Sequence, residues 1–353
     1  MESQIGMTAS SDQTTNKKGR RSFFSPKSMI TTFLKLAVAG GLIYFLVDGG
    51  KIDFRRLTLF FERWELAAAN VSYWVFVSLA VGSLRWRFLL SGVGIAVKYL
   101  KTMLFTSIGL FFNAAIPGAV GGDIVKAIYV IRDEAREKKT AALVTIALDR
   151  ILGLFGLFTI AAVAILANHE FLFSHGALRS ICTAALGLFA CLVLFFVSVF
   201  FPIGKNDLIR SILSKNIVGF SFLRQLYDDL CKYRSAPRAL VYGWLCSMFI
   251  QGMLVCYFWY IANLLELTGG IGFGVFASIT PLAVLTTALP LAPGGFGVGH
   301  YAFDRIMSFV GVEGGANIFN LFFIGQLVLN MIGFIPYILL KKPTSKEIPE
   351  ELN

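Results

Sequence analysis

Long apolar runs constrain this chain more than any other feature. A helix needs about 20 predominantly apolar residues to cross a bilayer, and six runs of about that length occur among the 353 residues. They lie at residues 29–47, 66–84, 140–167, 177–203, 239–265 and 316–340. Only 15% of the residues are charged, against about 25% in soluble domains. The sequence therefore predicts an all-α polytopic membrane protein with six full spans.

Two further apolar runs end in clusters of proline and glycine, which cannot continue a helix. Residues 99–117 lead into IPGAVGGD, and residues 271–290 lead into LAPGGFGVGH. If residues 99–117 crossed completely, the basic loop at 204–238 would lie outside, whereas cytoplasmic loops are the ones enriched in Lys and Arg. We therefore predict two opposed re-entrant hairpins, as in transporters built from inverted repeats, with both turns lining one cavity.

Charge also predicts how the chain is organised around the spans. Residues 1–28 are basic and rich in Ser and Thr, which predicts a disordered cytoplasmic arm. Residues 29–340 form one transmembrane domain, and residues 341–353 form a cytoplasmic tail. Residues 204–238 combine an apolar helical pattern with Lys and Arg, which suits either an amphipathic segment on an anionic leaflet or a soluble cytoplasmic hairpin. Arg85, Arg87, Lys98 and Lys101 mark the cytoplasmic end of the second span.

The turn of the first hairpin carries groups suited to a phosphate. Its glycines precede a helix start, where unpaired N–H groups and a partial positive charge attract anions. The alternative is that Asp123 caps this helix, that the glycines only permit the turn, and that Lys126 snorkels to the interface. The candidate binding residues here are Asn113, Pro117, Gly118, Gly121, Gly122, Asp123 and Lys126.

Two adjacent charges, Asp149 and Arg150, lie about ten residues inside the run 140–167, roughly 15 Å deep at 1.5 Å per residue. Ionisable side chains at this depth are costly and by default indicate a functional interior site. Adjacent residues do not share a helix face, so we expect them to reach different partners. Arg150 is the candidate for holding a phosphate bidentately. The alternative is a structural ion pair, for example Asp149 with Lys126.

The turn of the second hairpin supplies the remaining candidates. His300 follows the glycines and is the one histidine in an apolar setting, so it is a candidate proton carrier. The alternative is a hydrogen-bonded packing residue. The other candidates in this turn are Pro293, Gly294, Gly295 and Gly297.

Several classes of function are not expected. The sequence contains no metalloprotease, nucleophile-elbow or phosphate-loop motif. The 5 cysteines form no CxxC pair, so buried thiols explain them better than zinc or disulfides. The net charge of +11 lies largely in short loops beside the spans, so nucleic acid is not an expected partner. We expect no enzyme activity, no metal and no cofactor.

Three motifs occur in order along the chain, with spans between them: IPGAVGGDIVKAIYVIR, ALDRILGLFGL and LPLAPGGFGVGHYAF. Together they resemble the lysylphosphatidylglycerol synthase/flippase transmembrane family over roughly residues 31–340. The resemblance implies a multi-pass protein of the cell inner membrane that moves a phospholipid, or an isoprenoid- or glycan-linked lipid, between leaflets. In the best-known members a soluble domain that transfers lysine from its tRNA to phosphatidylglycerol follows. Because only residues 341–353 follow here, we expect that activity to be absent.

The match to the family pattern is uneven. The run from Gly121 to Asp123 and the pair Asp149 and Arg150 agree with it, and Lys126 keeps the charge of a frequent arginine. After the second glycine cluster such proteins often carry Glu or Arg-Glu, whereas Gly299 and His300 stand here. The resemblance therefore does not imply that transport here is coupled through an acidic side chain, and it does not identify the lipid headgroup.

These observations predict a lipid translocase with a polar groove between its hairpins. Residues 118–123 and Arg150 would hold the phosphate, with His300 facing them from the second hairpin. The expected partners are membrane lipids, either anionic phospholipids or isoprenoid- and glycan-linked lipids, and an enzyme of lipid biosynthesis stays open as a further partner. Two alternatives stay open: a non-transporting accessory protein of a lipid, hopanoid or glycan pathway, and an intramembrane lipid-modifying enzyme with Asp149 as base.

Overall fold

The computed structural model describes residues 62–115, 121–133, 138–174, 176–200, 220–287 and 298–340. These residues form helices and short connections, and no strand occurs among them. The all-α class predicted from the apolar runs is therefore confirmed.

Five helices are long and apolar enough to cross a membrane. They are α1 (Trp64–Gly92), α4 (Lys139–Ala167), α6 (Gly176–Phe200), α8 (Pro237–Leu264) and the pair α11 and α12 (Gly315–Ile332 and Phe334–Leu339), which together cover Gly315–Leu339. Each matches one of the predicted spans within a few residues, except that α1 continues eight residues beyond Leu84. The first predicted span, residues 29–47, lies outside the described residues.

Helix α1 changes its hydrogen-bonding pattern along its length. It is an α-helix over Trp64–Val71, a π-helix over Ser72–Val81, and an α-helix again over Gly82–Gly92. π-Helical turns are rare and frequently occur at functional sites. Two residues of the π-helix, Tyr73 and Trp74, contact Phe322 of α11, with ring centroids 6.2 and 4.7 Å from that of Phe322.

The first predicted hairpin contains two helices, α2 (Tyr99–Ala115) and α3 (Gly121–Asp133). Phe105 stacks on Tyr129 with centroids 5.6 Å apart, and Gly122 donates its backbone N–H to Asn113 Oδ1 at 2.9 Å. These contacts run in opposite sequence order, so the two helices are antiparallel. The 13 residues of α3 span about 20 Å, too short for a hydrocarbon core of about 30 Å.

The second predicted hairpin contains α9 (Phe273–Thr287) and α10 (Val298–Ser308), which contact each other. The 11 residues of α10 span about 17 Å. These helix lengths favour re-entrant hairpins over full spans. Both turns, residues 116–120 and 288–297, lie outside the described residues, so the cavity between the two turns stays a prediction.

Buried apolar side chains form two clusters. One contains Phe258, Phe303, Phe319 and Phe322, so it joins α8, α10 and α11. The other contains Trp86, Phe105, Tyr129 and Tyr233, so it joins α1, α2, α3 and the short 3₁₀-helix Lys232–Ser235. The first hairpin belongs mainly to the second cluster, and the second hairpin belongs to the first cluster.

The described part of the predicted amphipathic segment is α7 (Phe220–Cys231) and the 3₁₀-helix after it. Between α7 and α4 lies a cavity of about 330 Å³ with an apolar lining that includes Leu148 and Leu230. Tyr233 donates its hydroxyl to Leu89 O at 2.7 Å. Burial raises the pKa of the Tyr233 phenol above its ordinary value, so the hydroxyl keeps the proton that it donates. This contact fixes the loop before α8 to the end of α1. The remaining short helix, α5 (His169–Ser174), joins α4 to α6.

Candidate functional site

The first hairpin is held together by a close approach of two glycines. A Cβ atom on Gly122 would lie 1.9 Å from Gly109 O and 2.6 Å from Asn113 Oδ1, so only glycine fits at this crossing. The Asn113 amide oxygen accepts the Gly122 N–H and satisfies one of the free donors at the start of α3. The Gly122 N–H, one of the donors predicted to bind a phosphate, is therefore already bonded within the protein.

Asp149 lies at the junction of three helices. Its Oδ1 accepts a hydrogen bond from Arg85 Nε of α1 at 2.8 Å, and its Oδ2 lies 3.5 Å from Lys126 Nζ of α3. Arg85 Nη1 also donates to Ser247 Oγ of α8 at 3.1 Å. The structural ion pair between Asp149 and Lys126, one of the two alternatives, is therefore present in the structure.

Lys126 is enclosed and does not snorkel towards an interface. Its side chain is 7% exposed, and its Nζ lies 3.9 Å from the ring centroid of Trp86. A cation over an indole face is attracted by the ring quadrupole. The Trp86 ring is fixed in turn, because its Nε1 donates to Thr145 Oγ1 at 3.0 Å.

Arg150 makes a different ion pair from its neighbour, as predicted. Its Nε lies 2.7 Å from Asp123 Oδ2, and its side chain is 48% exposed, whereas that of Asp123 is 15% exposed. Asp123 is the third residue of α3 rather than the residue before it. The carboxylate therefore binds Arg150 and complements the positive end of the helix dipole.

The buried part of this cluster contains more positive than negative charges. Arg85 and Lys126 share the single carboxylate of Asp149, so two positive charges and one negative charge are enclosed by apolar helices. Buried charge is costly unless it is paired. The cluster is thus predisposed to accept an anion, and the exposed Arg150 guanidinium supplies donors with the fork geometry that phosphate prefers.

His300 occupies a packing position. Its Nε2 lies 3.3 Å from Asn320 Oδ1, and its ring packs edge-on against Phe319 and Phe323, at centroid distances of 4.8 and 5.9 Å. These contacts go to α11 rather than to the charged cluster. The contacts with Asn320, Phe319 and Phe323 thus agree with the packing alternative for His300.

The structure pairs six of the predicted site residues with one another, each pair including one residue of α3. The pairs are Asn113 with Gly122, Asp123 with Arg150, and Lys126 with Asp149, and Gly121 begins α3. The remaining predicted residues, Pro117, Gly118, Pro293, Gly294, Gly295 and Gly297, lie outside the described residues. Within the described ranges, no group of three or more His, Cys, Asp or Glu side chains could hold a metal ion.

Sequence reasoning missed Arg85, which it counted among the charges at the end of a span. That interpretation was wrong for Arg85, because α1 continues to Gly92 and the Arg85 side chain, 14% exposed, turns inward to Asp149. Ser247 and Gln251 of α8 were also missed. The sequence could have identified them, since they are polar residues four positions apart within an apolar run and therefore share a helix face.

Comparisons with known proteins agree with this architecture. The family described as the lysylphosphatidylglycerol synthase TM region matches residues 32–325 of the chain. A UPF0104 membrane protein of Pyrococcus horikoshii is 22% identical over 259 residues, which cover 67% of this chain and 75% of that protein. No solved structure matches the chain significantly.

Proposed function

Because this chain belongs to the family of the lysylphosphatidylglycerol synthase TM region, we propose that it is a lipid translocase. It moves an anionic phospholipid, or a lipid-linked anionic headgroup, from one leaflet of the membrane to the other. The observation that carries this proposal is the charged cluster of Arg85, Lys126, Asp149 and Arg150 among helices that are otherwise apolar.

The cluster supports transport because of where its charges lie along the helices. Arg150 is the twelfth residue of the 29-residue helix α4, about 17 Å from its start at 1.5 Å per residue. A headgroup crossing the bilayer loses its water near that depth. A guanidinium there replaces part of the lost hydration and lowers the barrier to crossing.

The exposure of Arg150 supports its assignment as the phosphate-binding residue. Arg85 and Lys126 are enclosed and hold Asp149, whereas about half of the Arg150 side chain is exposed. A lipid phosphate competes with Asp123 for the Arg150 guanidinium. Because about half of the Arg150 side chain is exposed, a phosphate can reach the guanidinium, displace the carboxylate and leave again.

In this proposal the protein lies in the cell inner membrane with both termini in the cytoplasm. It binds and releases a lipid without changing its covalent structure, so it is not an enzyme. The lipid tails stay in hydrocarbon while the headgroup passes along the first hairpin.

Exchange of fluorescent phospholipids in proteoliposomes tests this function. We expect the wild-type protein to exchange an anionic phospholipid faster than protein-free vesicles, and Arg150→Ala to reduce exchange at least tenfold. Arg179→Ala is the matched control, since Arg179 is an exposed arginine near the start of α6. A folded wild-type protein that exchanges no lipid, or an Arg150→Ala variant that exchanges at the wild-type rate, would contradict the proposal.

A further inference from the structure

A furrow with a volume of about 360 Å³ lies between α1 and α11. The two helices touch at its floor, because a Cβ atom on Gly325 would lie 1.9 Å from Asn70 Oδ1. At its rim Val71 and Val328 are 55% and 52% exposed. The furrow is therefore open at the surface of the described helices rather than enclosed by them.

The furrow presents an apolar surface to its occupant. The Asn70 amide in its lining is satisfied within the protein, since Nδ2 donates to Leu66 O at 3.0 Å and Oδ1 accepts from the Tyr257 hydroxyl at 2.9 Å. The Trp74 Nε1 atom is buried and cannot be reached from the furrow. Apolar walls without atoms against them lose dispersion contacts, so the furrow favours an occupant with apolar side chains.

Two other sides of α1 near the furrow already have neighbours. Tyr73 stacks on Tyr257 of α8 with ring centroids 5.0 Å apart, and Trp74 contacts α11. Trp64 and Val71, two turns apart on one face, stay 72% and 55% exposed. This open side of α1 carries the furrow, so it is the side on which a further helix can pack.

The predicted first span is the helix that the sequence supplies for this side. Residues 29–47 lie outside the described residues, and only the 16 residues 48–63 separate them from Trp64 at the start of α1. Consecutive elements joined by short connections are usually neighbours in space. The family match begins at residue 32, so nearly all of this span belongs to the shared domain.

The first span also carries small residues at the depth of the furrow. Spans that follow one another cross the membrane in opposite directions, so residue 47 and Trp64 lie at the same membrane face. At 1.5 Å per residue, Asn70 to Trp74 lie about 9–15 Å from Trp64 along the helix, and residues 37–41 lie equally far from residue 47. Those five residues read AVAGG, and small side chains let two membrane helices approach closely.

We propose that the predicted first span, residues 29–47, docks antiparallel to α1 in the furrow between α1 and α11. Its run of small residues lies over Asn70 and Trp74, and the larger apolar side chains beside that run cover Val71 and Val328. The first span is thus part of the packed core rather than a detached anchor. This inference does not depend on the proposed transport activity.

Photo-crosslinking of the full chain in membranes tests this contact. We expect p-benzoylphenylalanine in place of Val328 to cross-link to residues 29–47 of the same molecule, identified by mass spectrometry of peptides from the monomer band. The same probe in place of Leu188 is the matched control and should not reach residues 29–47, because Leu188 is 49% exposed and lines a cavity of about 360 Å³ between α4 and α6. Cross-links from position 328 that reach only a second copy, only lipid or only the described helices would overturn the proposal.

A bulky side chain in the furrow provides a second test. Ala67 lines the furrow, so Ala67→Phe should displace the first span, abolish the cross-link from position 328 and lower the melting temperature of the purified protein. Ala184→Phe is the control, since Ala184 is exposed on α6, and it should change neither. If Ala67→Phe keeps the cross-link, or raises the melting temperature by filling an otherwise empty furrow, the first span lies elsewhere.

Discussion

The two hairpins share one sequence design but are held in place by different forces. Each consists of an apolar helix, a run rich in Pro and Gly, and a short second helix. In the first hairpin α3 is tied to α4 by two ion pairs, Lys126 with Asp149 and Asp123 with Arg150. In the second hairpin α10 is tied to α8 and α11 by aromatic rings, with Phe303 at 4.7 Å from Phe258 and 5.0 Å from Phe319.

This difference favours the first hairpin as the one that binds the proposed lipid. Aromatic packing in a core stabilises one arrangement and offers no exchangeable partner. An ion pair beside a half-exposed arginine can give way to another anion. The first hairpin therefore carries the proposed binding function, and the second serves as a packed support. Substitutions that act on the charges, the glycine contacts and the histidine test this division.

The largest effect is expected from Asp149→Asn. The change leaves Arg85 and Lys126 enclosed without their shared carboxylate, and removing one partner of a buried ion pair costs about 3–5 kcal/mol. Unfolding of the purified protein by denaturant in mixed micelles measures this loss. An Asp149→Asn variant as stable as wild type would show that the first hairpin does not depend on its charges.

The next effect concerns the glycine contacts of the two hairpins. In Gly122→Ala the new Cβ meets the Gly109 carbonyl at 1.9 Å, whereas in Gly299→Ala it meets the tip of the Phe319 ring at 2.2 Å. A ring can tilt more easily than a backbone can move, so we expect Gly122→Ala to cost more, about 2–3 kcal/mol against about 1–2 kcal/mol.

Gly187→Ala provides the control for these glycine changes, because nothing lies within 4 Å of its Cβ position. We expect its melting temperature to equal or exceed that of wild type, since alanine favours a helix over glycine. If Gly299→Ala is the more destabilising of the two hairpin variants, the second hairpin is the more rigidly packed one.

A smaller effect is expected from His300→Phe. Phenylalanine keeps the ring contacts with Phe319 and Phe323 and loses the contact with Asn320, which costs about 0.5–1.5 kcal/mol. If His300 is a packing residue, the pH dependence of lipid exchange between pH 5 and 8 should stay unchanged. A shifted profile would make it a proton carrier and give the second hairpin an active part.

The smallest effect on stability is expected from Asp123→Asn. Its partner Arg150 is about half exposed, whereas the partners of Asp149 are enclosed, and asparagine keeps one oxygen that accepts from the guanidinium, so we expect only a small loss of stability. Lipid binding should rise, because the phosphate no longer competes with a carboxylate for Arg150. Native mass spectrometry measures the retained anionic lipid, and weaker retention than in wild type would mean that Asp123 orders the site.

Most of the helical architecture could be predicted from the sequence, because apolar runs of membrane length have few alternatives. The separate partners of Asp149 and Arg150 also followed from their adjacency on a helix. The contact of Arg85 with Asp149 could not be predicted, because an arginine at the end of an apolar run can equally well belong to the following loop. Deciding between the two requires the true end of α1 and the position of Asp149 on a distant helix.

The role of His300 illustrates the same limit on the other hairpin. A histidine after a glycine cluster is compatible with proton transfer and with packing, and the sequence alone does not distinguish the two roles. Only the tertiary contact with α11 separates them, since the side chain of Asn320 lies twenty residues away in the chain. Local patterns thus identified the polar positions, while the pairing among them depended on packing.

The place of Arg150 within α4 has an electrical consequence. Arg150 is part of an uninterrupted helix of 29 residues, so its positive charge does not travel across the membrane with a headgroup. Transfer of a monoanionic lipid would then carry net charge across the membrane. With the cytoplasm negative, a potential would drive such a lipid outward with about 2.3 kcal/mol per charge for each 100 mV. The membrane voltage alone would then suffice to give transport its direction.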